Sequence, residues 1–74
     1  MEIRKPETET EERLIEILQD KFMDDPQYIN GVTCLLETDD ERQDMIDEIE
    51  DGNVATSDDA ILFALQIDEE RDHG

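Results

Sequence analysis

The chain has 74 residues, 24 of them Asp or Glu and 6 Lys or Arg, for a formal net charge of -18 with 35% hydrophobic residues. That length holds one small domain, close to the size at which a hydrophobic core becomes marginal. The charge repels nucleic acid and anionic lipid and attracts cations and basic proteins, so no direct nucleic-acid or membrane contact is expected.

A single cysteine, Cys34, excludes an intramolecular disulfide, and there is no Cys/His cluster to hold zinc. Stability must therefore come from helix packing or from a partner. No stretch approaches the roughly 20 apolar residues of a membrane span, and the bases of "MEIRKPETETEER" are followed by no apolar run. The expectation is a soluble, cytoplasmic protein. High net charge with few aromatics is also a signature of disorder, but the apolar residues are ordered along the chain in a way that argues for folding.

Residues 1–7 read as a flexible N-terminal arm ending near Pro6, residues 8–71 as one acidic helical domain and residues 72–74 as a frayed tail. In "TETEERLIEILQDKFM", Thr8 and Glu11 have capping-box spacing, and Leu14, Ile15, Leu18 and Phe22 share one face of a 3.6-residue repeat. A first helix follows from that pattern and should stop at "DDP", where Asp25 can cap a second helix with Pro26 in its first turn. "PQYINGVTCLLE" is ambiguous. Tyr28, Ile29, Val32, Leu35 and Leu36 fit a helix, the β-branched and aromatic content suits a strand, and Gly31 weakens a helix by roughly 1 kcal/mol. A short helix is favoured because no second strand is available to satisfy the backbone of a lone one.

The third element, "ETDDERQDMIDEIEDG", packs nine carboxylates and one arginine into sixteen positions. Thr38 and Glu41 again have capping-box spacing, Asp39 and Asp40 suit the positive end of the helix dipole, and Met45, Ile46 and Ile49 form a narrow apolar stripe ending at "DGN". At 100° per residue Asp40, Asp44, Asp47 and Asp51 fall almost opposite that stripe, and Arg42 flanks it. In the last element, "TSDDAILFALQIDEER", Thr56 or Ser57 is the expected cap. Residues 60–67 are apolar except for Gln66, which predicts a helix at the centre of the bundle, with Leu62 in the core, or a homodimer contact through that same run. The tail "DEERDHG" puts acids where the dipole favours cations, so fraying is expected there. The fold class that results is all-α, a compact bundle of three to four short helices.

Catalysis has little support in this composition. His73 lies one residue from the C-terminus, and Cys34 sits in an apolar stretch where it reads as a small core residue rather than a thiolate. Carboxylate pairs are everywhere, yet acid–base work needs one acid with a raised pKa in a cleft. Asp47 to Asp58 can be laid over an EF-hand loop with Gly52 in sixth place, but Ile49 stands at the third ligand position and Asp58 replaces the bidentate glutamate. A helix C-cap at Gly52 is the better reading. No enzyme, metal or cofactor is expected.

What remains is the acidic face. Like charges at i, i+4 cost about 0.2–0.5 kcal/mol each, and ordinary solvated faces intersperse both signs. The expected partner-binding residues are Asp40, Asp44, Asp47, Glu48 and Asp51. Carboxylates about 4.5 to 6 Å apart along the helix have the scale of phosphates along a nucleic-acid strand. The expectation is a non-enzymatic acidic interaction protein that binds a basic protein surface, of the DNA-mimic type of inhibitor or regulator carried by phages and mobile elements. Two alternatives are a small helical adaptor or homodimer using the apolar fourth helix, and a halophile protein whose acids only solvate it. The low lysine content favours the halophile alternative and the isoleucine-rich, alanine-poor composition disfavours it. Mutual repulsion further suggests carboxylates that titrate high, with greater stability near pH 5 or in added salt.

Overall fold

The computed structural model describes residues 2–73, apart from the His73 side chain, and contains four helices with no strand among them: α1 (Glu9–Lys21), α2 (Pro26–Leu35), α3 (Asp39–Asp51) and α4 (Ser57–His73). The ambiguous second segment is a helix. Each start has the side-chain cap its sequence proposes, although Glu11 does not complete the capping box at α1. Thr8 Oγ1 accepts from the Glu11 N–H at 3.2 Å, Asp25 Oδ1 from the Gln27 N–H at 3.2 Å, and Thr38 Oγ1 from the Glu41 N–H at 3.2 Å. At α4 the cap is Thr56, whose Oγ1 accepts from the Asp59 N–H at 3.1 Å. α3 ends at Gly52, where φ is +87°, and the N–H groups of Asn53 and Val54 both reach the Glu48 carbonyl. Only glycine adopts that left-handed turn cheaply.

α1 packs chiefly on α3, and α2 on α4. The core between them is built from Leu14 and Leu18 of α1, Ile29 and Val32 of α2, Met45, Ile46 and Ile49 of α3, and the loop residues Leu36 and Val54. The arm has no regular structure and lies along α2, where Arg4 N–H donates to Asn30 Oδ1 and Asn30 Nδ2 donates to the Glu2 carbonyl, both at 2.9 Å.

Three expectations change. α4 is not the centre of the bundle: it buries Ala60 and Ala64 completely, while Leu62 is 57% and Leu65 46% exposed. The side of α4 that meets the core carries Ala60, Ala64 and Ile67, and Leu62 falls on the opposite side, so it is not a core residue. Cys34 is exposed, because on α2 it lies opposite the side formed by Ile29, Val32 and Thr33, and Arg4 Nη1 sits 3.2 Å from its Sγ. The tail expected to fray is helical through His73. Arg71 fastens it, since Nη2 donates to the Leu35 carbonyl at 2.7 Å and to Glu41 Oε1 at 2.9 Å, and Nη1 donates to Asp68 at 2.9 Å. Gly74 lies outside the described residues.

Candidate functional site, the acidic face of α3

The capping box of Thr38 and Glu41 starts α3, and the apolar stripe of Met45, Ile46 and Ile49 turns inward, which sets the opposite side of the helix to solvent. Asp40, Asp44, Asp47 and Asp51 are all exposed there. Asp47 accepts from Gln43 Nε2 at 3.0 Å, a neutral contact that leaves its charge uncompensated. Asp51 closes the helix at the end where the dipole is already negative and no base stands in the last turn. Glu48 departs from the other four: it is half-buried, accepts from Asn53 Nδ2 at 2.8 Å, and borders a cleft between α3 and α4.

The arginines that form ion pairs lie elsewhere. Arg42, the one base of α3, is buried: its Nη1 is 2.7 Å from Asp39 and its Nη2 3.7 Å from Glu11, a carboxylate only 1% exposed. Glu11 completes no second capping box; its Oε2 accepts from the Glu7 N–H instead, and Glu11 Oε1 and Arg42 Nε have no hydrogen-bond partner. Arg71 pairs with Glu37, Glu41 and Asp68, and Arg4 with Glu7. Among the described residues no cation lies within ion-pairing distance of Asp40, Asp44, Asp47 or Asp51. The four form a row of unneutralised charge about 4.5 to 6 Å apart along the helix axis.

Two acids at the head of α3 are tied down rather than free. The Thr8 hydroxyl, at 2.7 Å, and then Arg42 hold Asp39 below its ordinary value of 3.8. Arg71, its strongest influence, holds Glu41 below 4.5. These shifts run opposite to the expectation that repulsion makes the carboxylates titrate high, because at this end hydrogen bonds to specific donors outweigh diffuse repulsion. On α2, burial and then the nearby Asp58 push Tyr28 up to about 12, and its hydroxyl donates to the Ser57 carbonyl at 3.3 Å.

The Asp47–Asp58 loop is organised as a helix end. Gly52 caps α3, Val54 enters the core, and Asn53 turns back to Glu48. No group of three or more His, Cys, Asp or Glu among the described residues is placed to hold a metal. The sequence reading missed two parts of this region: the role of Arg71, whose Asp68 partner three residues away was the one local signal, and the α3–α4 cleft with Asp59, Leu62 and Phe63. No family model matches the chain, and neither a curated protein nor a solved structure matches it.

Proposed function

We propose that this protein is a non-enzymatic cytoplasmic inhibitor or regulator that acts by placing the acidic face of α3 in the basic groove of a nucleic-acid-binding protein. The observation that supports this reading is the row of Asp40, Asp44, Asp47 and Asp51, exposed and without a cation partner among the described residues, on a helix whose only base is buried. Uncompensated carboxylates at that spacing offer Lys and Arg side chains charge-assisted contacts and steer encounter over about a Debye length. They weaken their own helix slightly, and a partner would turn that repulsion into binding.

A second reading has its own observation. Glu9, Glu12, Glu16 and Asp20 are also exposed along α1, so acid is spread beyond α3, as it would be on a surface loaded with carboxylates only for solvation in concentrated salt. One experiment separates the two. A partner is captured from the native cell, and the variant with Asn at positions 40, 44, 47 and 51 is compared with Ile46→Ala. The four-Asn variant should fold as well as the parent or slightly better and should associate more slowly, with a weaker salt dependence. Ile46→Ala should lose about 2–5 kcal/mol of stability before any binding effect. If the four-Asn variant binds the partner with unchanged affinity and salt dependence, the α3 face is solvation alone.

A further inference from the structure

α4 buries Ala60 and Ala64 fully, packs Phe63 and Ile67 partly against the core and leaves Ile61, Leu62 and Leu65 outward. Ala60, Ala64, Ile67 and Arg71 follow each other at helical spacing on the inner side. On the opposite side Asp58, Ile61, Leu62, Leu65 and Glu69 make a single stripe, in which the three apolar residues are 36%, 57% and 46% exposed. Isolated exposed leucines need no explanation, but a contiguous apolar stripe on a chain of this charge does. Beside it, between the end of α3 and α4, lies a cleft of about 230 Å³ lined by Val54, Leu62 and Phe63 together with Glu48 and Asp59. Pockets for small molecules start at about 300 Å³, so this one is on the scale of a single large side chain.

The charge around this surface selects what can cover it. Asp58 and Asp59 stand at one end of the stripe and Glu69 and Asp72 at the other, and all but the half-buried Asp59 are exposed. Arg71, the one arginine of α4, is turned away to Glu37, Glu41 and the Leu35 carbonyl. A second copy of the chain would set acids on acids in either direction: parallel packing faces Asp58 with Asp58, and antiparallel packing faces it with Glu69. Within the cleft, Glu48 uses Oε2 for Asn53 and Asp59 uses Oδ2 for the Ala55 N–H, which leaves a second oxygen on each. The lining is mixed, with Asn53 and Gln66 beside the two carboxylates and the three apolar side chains, and suits a Lys or Arg, whose methylene stem packs on the apolar part while its cation is neutralised.

We infer that the outer face of α4 and the adjoining cleft dock a basic amphipathic helix of another protein. Its apolar residues, at i, i+3, i+4 and i+7, cover Ile61, Leu62 and Leu65. A Lys or Arg from its flank enters the cleft toward Glu48 and Asp59. This surface uses none of Asp40, Asp44, Asp47 and Asp51 and stands or falls separately from the α3 face.

The test uses two synthetic peptides of identical Leu and Lys content, one with the leucines at i, i+3, i+4 and i+7 and one shuffled so that no apolar face forms. Each is titrated into the full chain at about 0.15 M salt, where diffuse attraction is screened beyond roughly 8 Å. The ordered peptide should bind at least roughly tenfold more tightly, a difference of about 1.4 kcal/mol, and should move the methyl signals of Ile61, Leu62 and Leu65. Leu62→Gln and, separately, Leu65→Gln should reduce it to the affinity of the shuffled peptide while the helical circular dichroism stays that of the parent. The four-Asn α3 variant should weaken both peptides alike and keep their ratio. Equal affinities of the two peptides for the parent overturn the proposal, as does a parent chain whose mass in solution is that of a dimer and which Leu62→Gln converts to a monomer.

Discussion

α3 and α4 lie against each other and sort their residues in opposite ways. α3 has few apolar residues, Met45, Ile46 and Ile49, and buries all of them, so its outer side is nearly pure carboxylate. α4 has the longest apolar run in the chain and buries its alanines, while three of its largest aliphatic side chains remain in solvent. Apolar content therefore predicts poorly which helix is central. Which side chains fit the space between the helices decides it, because protein interiors are packed to near-crystalline density. One helix thus exposes a row of charge and the other an apolar stripe framed by charge.

The comparison is tested most severely at the one charge that α3 turns inward. Arg42→Ala would leave the Glu11 carboxylate buried without its cation, and the expected loss is about 3–5 kcal/mol, a large share of the 5–15 kcal/mol typical of a whole domain. Replacing both partners, Glu11→Leu with Arg42→Met, should restore urea resistance to near the parent, since the pair itself contributes little net stability. A single variant as stable as the parent would mean that Glu11 is accommodated there without its cation.

The inner side of α4 offers a smaller effect. Ala64→Leu should destabilise by about 1–3 kcal/mol through overpacking, read as a lower denaturation midpoint. An unchanged midpoint would show that the leucines of α4 lie outside for some reason other than lack of room, and the contrast between the two helices would lose its basis.

The smallest effect concerns the head of α3, where Glu41 is tied to Arg71 of α4 and Asp39 to the Thr8 cap of α1. Asp39 and Glu41 have folded-state pKa values below their ordinary ones, held there first by the Thr8 hydroxyl and by Arg71 respectively. A carboxylate whose folded pKa is depressed stabilises the fold above its unfolded pKa and loses that contribution as pH falls through the folded value. The melting temperature should therefore hold from neutral pH down to about pH 4.5 and fall below that, and Arg71→Gln should flatten the acid limb. A melting temperature that instead rises steadily on acidification to about pH 3 would show that relief of repulsion along the α3 face outweighs these contacts.

Much of this molecule was determined by the sequence alone, since its helices obey local rules. Thr8, Asp25 and Thr38 cap because a short side-chain oxygen reaches an N–H two or three residues on, Gly52 ends α3 because it alone adopts positive φ without strain, and the 3.6-residue period of Met45, Ile46 and Ile49 sets Asp40, Asp44, Asp47 and Asp51 to solvent whatever α3 packs on. The tertiary structure decided whatever depends on partners remote in the chain. The Glu11–Arg42 pair spans 31 residues and the Arg71–Glu41 contact 30, and neither has a local pattern that announces it. The same holds for Cys34, read as core and found outside, and for Leu62, read as central and found exposed. Periodicity tells which residues share a side of a helix. Which side is covered depends on how closely the neighbouring helices approach, and that is settled by side-chain volumes brought together only in the folded chain.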